Sequence, residues 1–325
     1  MSAVVVIGSF NVDHVWQCDA LPAAGATIAG RYQTGPGGKG FNQAVACARA
    51  GAGTAFVCAL GDDLGGVLAR SLAKDQSIEL RAQHSEDPTG SAGIYVDARG
   101  RNSIVVGAGA NASLTPAFVE EQLEGIASAK VVLAQLESPV ESVMAGLRLA
   151  RESGTCTLLN PAPANASTTS EMLALVDILT PNETEFSALL ARHVGERIEP
   201  DDVASCDGAR LHTACRELLR QGSVVVTLGV AGVFVSHPED STRDDGKPYY
   251  RIAAEPASTV DSTGAGDAFN GAFAASWAMQ PDLPFADHIR FANRYAALST
   301  EHTGAALAMP ERSEVAARFG DRSAG

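Results

Sequence analysis

The 325-residue chain has no run of 18 apolar residues, so no stretch of it reads as a membrane-spanning helix. No charged, then apolar, then small-residue leader opens it, so a signal peptide is not indicated. Basic residues are scarce and scattered: 24 Lys and Arg stand against 38 Asp and Glu, for a net charge of −14. A nucleic-acid binder ordinarily presents a basic face. Its lack argues against nucleic acid as a partner, and the acidity reads as solubility. The six cysteines (Cys18, Cys47, Cys58, Cys156, Cys206, Cys215) form no C-x-x-C pair. They read as reduced thiols of a cytoplasmic protein, not as disulfides or zinc ligands. The seven histidines show neither H-x-x-x-H nor H-E-x-x-H spacing, so no structural metal is placed. Aromatics make up only 6% of a chain that is 46% apolar, which predicts a core rich in Ala and Val. Neither a linker nor an internal repeat breaks residues 1–325, so they read as one large α/β domain.

What is present is a βα rhythm. Ala3–Gly8 (A-V-V-V-I-G) is a continuous apolar run ending in glycine, which predicts a buried parallel strand. Ser9-Phe10-Asn11-Val12-Asp13 follows at its carboxyl end, where open α/β sheets bind ligands. Asn11 and Asp13, two apart, point the same way in an extended chain. An amide beside a carboxylate suits a polyhydroxylated ligand; a plain Asx turn explains the pair as well. Further buried strands are expected at 54–60, 130–136, 155–160 and 224–229, with a returning strand at 233–236. Helices are expected at 211–221, up to Met279, over 285–299 and from near Pro310. Residues 196–207 and 240–247 read as surface loops and 322–325 as a frayed end.

Two stretches break the rhythm, from about His14 to Gly35 and from about Gly90 to Gly107. Both are short and partly alternating, and Asp97-Ala98-Arg99-Gly100 reads as a hairpin turn. Paired, they would make a small sheet projecting from the body: a lid, an oligomer interface or an edge extension. Between them, Gly35-Pro36-Gly37-Gly38-Lys39-Gly40 formally matches the dinucleotide fingerprint G-x-G-x-x-G. No strand-to-helix unit of the right kind surrounds it, and Lys39 is followed by Gly40, not by the Ser or Thr of a P-loop. It reads as a glycine turn carrying backbone amides, Lys39 and Asn42 to a ligand at a helix N-terminus, or with Lys39 simply in solvent. Glu137 falls at another strand end, as a site carboxylate or a helix-start charge. Asn182 and Glu185, three apart, share a helix face. They suit water-mediated Mg²⁺ and phosphate or form a capping box.

The most informative stretch is Val260-Asp261-Ser262-Thr263-Gly264-Ala265-Gly266-Asp267-Ala268-Phe269-Asn270-Gly271. A bare loop feeds a helix whose first amides lack internal partners. Gly264, Ala265 and Gly266 therefore offer an anion pocket, and Asp267 beside it can take a proton from an attacking hydroxyl. An ordinary helix cap accounts for the same four residues taken alone.

Taken in order, Asn11/Asp13, Gly37-Gly38-Lys39-Gly40-x-Asn42, Glu137, Asn182-x-x-Glu185, Thr227-Leu228-Gly229-x-x-Gly232 and Asp-x-Thr-Gly-Ala-Gly-Asp resemble the PfkB carbohydrate kinase family, most of all its ribose-phosphorylating members. The resemblance spans about residues 3–311. It implies a Rossmann-like αβα sandwich with a small β-sheet lid that also dimerises, and ATP-dependent transfer to the 5-hydroxyl of D-ribose. Asn11, Asp13, Gly38, Lys39, Gly40, Asn42 and Glu137 match sugar-binding positions, and Asp267 the catalytic base. Asn182, Glu185, Thr227, Gly229, Gly232, Gly266 and Asn293 match nucleotide positions, with Asn182 and Glu185 organising Mg²⁺. Asp261, Thr263, Ser299, His302 and Gly304 match a K⁺ site whose last member falls on Ala308, which has no side-chain oxygen. Phe41 is bulkier than the residue usual in the glycine turn and is expected to border the sugar. It leaves room for a deoxyribose or nucleoside substrate. A silent sugar binder and an NAD-dependent oxidoreductase are the remoter readings.

Overall fold

The computed structural model describes residues 2–320; the predicted frayed end, 322–325, lies outside the described residues. Strand β1 (Val4–Ile7) is four β-branched residues, all buried. With apolar side chains on both faces it has to sit inside a sheet covered on both sides. It lies between β4 (Thr54–Gly61) and β8 (Val131–Ala134), parallel to each. On the far side of β8 come β9 (Cys156–Leu159), β10 (Ile178–Leu179) and β11 (Ser223–Thr227), all parallel. β12 (Val233–Ser236) and β13 (Tyr249–Ile252) then close that edge antiparallel. β5 (Glu79–Ser85) closes the other edge beside β4, completing nine strands.

The period-two alternation of β1 divides the core. Val4 and Val6 face one apolar cluster with the helices Lys39–Arg49, Ala265–Met279 and Phe285–Ser299. Val5 and Ile7 face the other, with Val140–Glu152, Glu183–His193 and Gly208–Leu218. The result is an αβα sandwich.

A separate four-stranded sheet has the order β3-β2-β6-β7, with β2 at Asn11–Cys18, β3 at Arg31–Gly37, β6 at Ser91–Asp97 and β7 at Asn102–Gly107. The two irregular stretches of the sequence pair here, β2 running parallel to β6. The β6–β7 turn is held by Asp97, whose Oδ1 accepts from the Arg99 and Arg101 amides at 2.9 and 3.0 Å. The bounds differ from the sequence reading. The chain stays extended after β1, so β2 begins at Asn11, and Asn11 and Asp13 lie across from Gly37 and Gly35. Both residues thus belong to the small sheet and share its body-facing side.

Other differences have simple causes. β5 (E-L-R-A-Q-H-S) is an edge strand with mixed polarity, and no apolar run announces it. Residues 196–207 are not all loop: Pro200–Val203 forms a helical turn that buries Val203, with Ile198 buried ahead of it. Phe41, expected beside the sugar, does not line the cavity that Lys39 and Asp267 border. Its ring is buried in the core, edge-on to Phe10 at 5.1 Å and tilted against Phe56 at 5.9 Å. Phe41→Ala is therefore expected to destabilise the fold by about 3–5 kcal/mol, the usual cost of such a cavity. Urea unfolding checks it, and an unchanged midpoint would show the ring not to be core.

Candidate active site

The glycine turn brings three segments together. Gly38 sits at φ +86°, where a side chain is strained, and a Cβ there would meet the backbone of Phe10 and Asn11 at 2.8–2.9 Å. A Cβ on Gly40 would lie 2.5 Å from the Ser9 amide nitrogen. The turn thus presses onto the end of β1, and the helix Lys39–Arg49 starts over the carboxyl edge of the sheet. That start aims Lys39, Asn42 and Gln43 at the second helix N-terminus, Gly264–Asp267.

There Gly264 adopts φ +76° and the helix begins at Ala265. The Ala265 amide donates to the Ser262 carbonyl at 3.2 Å. Of the three residues read as an anion pocket, Ala265 is thus already committed. The Gly264, Gly266 and Asp267 amides have no partner within the described residues. They open on a cavity of about 160 Å³ lined by Lys39, Asn182, Glu185, Thr227, Gly264, Gly266 and Asp267 among others. Gly229 and Gly232 form the turn beyond Thr227, at φ +50° and +90°. Asn293 stands apart: its amide donates to the Ala253 carbonyl at 2.7 Å.

Asp267 is buried, and both its oxygens are held. Oδ2 accepts from Asn42 Nδ2 at 2.9 Å and Oδ1 from Gln43 Nε2 at 2.8 Å. Burial raises its pKa, and Lys39, Asn42 and Gln43 oppose that rise only in part. For Lys39, burial disfavours the charge, yet Asp267, Glu137 and Glu185 outweigh it and raise the pKa. Glu137 accepts from Ser9 Oγ at 2.6 Å and from the Lys39 amide at 3.0 Å. It is therefore a fixed acceptor at the turn and not only a helix-start charge. Asp13 has no such donors. Burial first, then the charges of Glu137 and Asp267, push it up to about 7.

Asn182 and Glu185 form the capping box. Asn182 Oδ1 accepts from the Glu185 amide at 2.8 Å, and Glu185 Oε2 from the Asn182 amide at 2.9 Å. Both also line the cavity, so capping the helix leaves them at its wall. Burial raises the Glu185 pKa, with Lys39 among the groups that oppose it. Below the helix start, Asp261 Oδ1 accepts from Thr263 N and Oδ2 from Gly304 N, each at 2.9 Å. Burial works against that carboxylate's charge, and these amides outweigh it and lower the pKa. The Thr300 carbonyl accepts from the Val260 and Asp261 amides, tying the two loops together. Asp261, Thr263 and Gly304 are thus neighbours. Ser299 spends its hydroxyl on the Ala296 carbonyl, and the His302 side chain is exposed.

Three residues matter here that the motif reading did not single out. Gln43 contacts Asp267. Asn111 donates to Asn11 Oδ1 at 2.8 Å and brackets the Phe10 backbone through both its amide atoms. Asn160 links Gln43 to the Thr180 carbonyl. Asn160, at the end of an apolar run, carried that much of a signal; Gln43 carried none.

The arrangement is a buried carboxylate beside uncommitted amides, with an amide and a carboxylate carried by strand β2 of the small sheet. The model of the "pfkB family carbohydrate kinase" matches residues 1–312. The chain belongs to this family. It is 36% identical to the ribokinase of Haemophilus influenzae over 314 residues, 96% of either chain. It is 37% identical to the ribokinase of Bacillus subtilis over 320 residues, covering 97% of this chain and 98% of that one. The solved structure of the Arabidopsis thaliana ribokinase complexed with ribose and ATP superposes with a TM-score of 0.85 at 30% identity, covering 99% of each chain.

The charge of Asp13 sets a pH signature for this pfkB-family chain. Its folded pKa lies above the unfolded value of 3.8, so the folded state binds the proton more tightly. The contribution of that group to stability therefore falls as pH rises from about 4 to about 7, and the cost is complete above. Asp13→Asn cannot charge and is expected to raise the melting temperature at pH 8 by roughly 3 °C or more. The gain should shrink toward pH 4. Scanning calorimetry at the two pH values decides, and no gain at pH 8 would refute the burial argument.

Proposed function

We propose that this protein is an ATP-dependent kinase that transfers a phosphoryl group to the 5-hydroxyl of D-ribose. The observation that carries the reading is the buried Asp267 carboxylate, clasped by two amides beside the uncommitted Gly264, Gly266 and Asp267 amides. A primary hydroxyl bonded to Asp267 loses its proton to it while attacking the γ-phosphorus in line. The free amides receive the charge that develops on the transferred group, and Lys39 adds a fixed positive charge. The sugar side is served by Asn11, Asp13, Gly38, Lys39, Gly40, Asn42 and Glu137. Asn42 Oδ1 is buried without a partner, an acceptor that a sugar hydroxyl satisfies. Glu137 and Asn11 have their geometry fixed by Ser9 and Asn111. Asn182, Glu185, Thr227, Gly229, Gly232, Gly266 and Asn293 serve the nucleotide. The small sheet closes over the sugar and excludes water.

Mg²⁺ fits as a water-mediated ion at Glu185. One of that carboxylate's oxygens is taken by the capping box, while the residue borders the cavity. When bound, Mg²⁺ neutralises phosphate charge. K⁺ fits the Asp261 loop pair: among the described residues the carbonyls of Thr263, His302 and Gly304 accept no backbone hydrogen bond, and carbonyl oxygens suit a large monovalent ion. Ala308 does not prevent this, because a carbonyl needs no side chain. A dimer through the small sheet is supported by exposed Tyr32, Ile104, Val105 and Val106. No described helix is long and apolar enough to cross a membrane. The cytoplasmic reading rests on the six free cysteines.

Deoxyribose or nucleoside remains the second reading, but the buried Phe41 removes the stacking argument for a base. The test is ADP release with ATP and Mg²⁺ over ribose, deoxyribose, fructose and nucleosides, with and without K⁺. Turnover is expected on ribose, enhanced by K⁺; a nucleoside preference would overturn the substrate. Asp267→Asn is expected to lower kcat by about a thousandfold or more while circular dichroism stays native. Near-normal turnover of that variant would refute the base assignment.

A further inference from the structure

The unexplained residue nearest the chemistry is Gln43. It is fully buried and does not line the cavity, whereas Asp267 does. Every polar atom of its amide is in use. Oε1 accepts from Gln135 Nε2 at 2.5 Å, and Nε2 donates to Asp267 Oδ1 at 2.8 Å and to Asn160 Oδ1 at 3.1 Å. The orientation of this amide follows from its partners. A carboxylate oxygen only accepts, so the group facing Asp267 must be the NH₂, and the oxygen is left for Gln135. Asn160 is fixed in the same way, because its Nδ2 donates to the Thr180 carbonyl at 2.9 Å. Thr180 in turn donates from Oγ1 to Asn270 Oδ1 at 2.5 Å, and Asn270 Nδ2 donates to the Gly266 carbonyl at 2.8 Å. A buried relay thus runs from Gln135 through Gln43 to Asp267, and from Gln43 back to the first turn of the helix that carries Asp267.

We propose that Gln43 is a positioning residue for the base. It fixes the rotation of the Asp267 carboxylate and stabilises its charged form by a donated hydrogen bond, without touching substrate. The inference rests on the reading of Asp267 as base. Asn42 holds the other oxygen but borders the sugar, so the two neighbours divide the work: Asn42 faces the ligand, Gln43 the protein interior. The direction of the effect is fixed. Deleting the donor leaves the charged carboxylate with one amide in place of two, and Asp267 then holds its proton more tightly.

The experiment is the pH profile of kcat/KM for ribose in wild type, Gln43→Leu, Gln43→Glu and Asp267→Asn. Gln43→Leu is expected to lose about tenfold to a hundredfold near neutral pH. Its acid limb should move up by about one unit, so that much of the loss is recovered at high pH. Gln43→Glu retains the size of the side chain but sets a second carboxylate against Asp267. Its limb should move further up still. A residue with a merely structural role lowers activity evenly across pH and leaves the limb in place. That outcome in both Gln43 variants, with Asp267→Asn inactive, overturns this inference and spares the base assignment. An active Asp267→Asn overturns both. If Gln43→Leu does not fold because Gln135 loses its acceptor, Gln43→Leu/Gln135→Leu removes that donor too and is read against the same limb.

Discussion

A carboxylate taken out of water stays charged only if its surroundings replace the water. Asp267 meets that condition with two side-chain amides and one ammonium, and much of the structure follows from having to deliver them. The amides and Lys39 all come from the first turn of one helix. That turn is in place because a strip of glycine backbone presses onto the end of β1. Several other acids border the same site, and Lys39 is the positive charge they share. Asp13, the one without dedicated donors, is the one whose proton affinity rises to near neutrality.

The site therefore trades stability for readiness. Burial and like charge disfavour Asp13, Glu185 and Asp267 in the free protein. A ligand that brings hydroxyl donors and a cation relieves all three. The same logic explains the unpartnered Asn42 acceptor and the uncommitted helix amides. Groups left unsatisfied at a helix start are an open cost, and they mark where something binds. The small sheet adds the remaining contacts from a different direction. Asn11 and Asp13 ride on its strand β2, so movement of that sheet moves the two residues as a unit.

Most strands of the central sheet were legible because parallel strands covered on both faces carry apolar runs, as β1, β8 and the Val224–Val226 centre of β11 do; the two-residue β10 is too short to show one. The edge strands β5 and β13 were not, since an edge strand faces solvent and carries no such run. The glycine turn and the Gly-Ala-Gly-Asp stretch were legible because bare backbone has few uses. Phe41 follows the turn in sequence, but one step along a helix is about 100° of rotation, and that turns its ring into the core against Phe10. Gln43 was invisible for a related reason. A glutamine within a helix has no spacing rule, and only contact with a residue 224 positions away gives it meaning.

The sequence alone determined the αβα layering, the presence of a small second sheet, the family, and the bare Gly-Ala-Gly-Asp stretch from which the base is proposed. Those depend on local pattern: apolar period, glycine where the backbone must be bare, polar residues at strand ends. Tertiary structure alone decided which oxygens of Asp267 are held and by what, and that the Asn182–Glu185 capping box, readable from its spacing, also lines the cavity. Hydrogen bonds between residues far apart in the chain are fixed by how the helices dock on the sheet, and no local pattern encodes that docking.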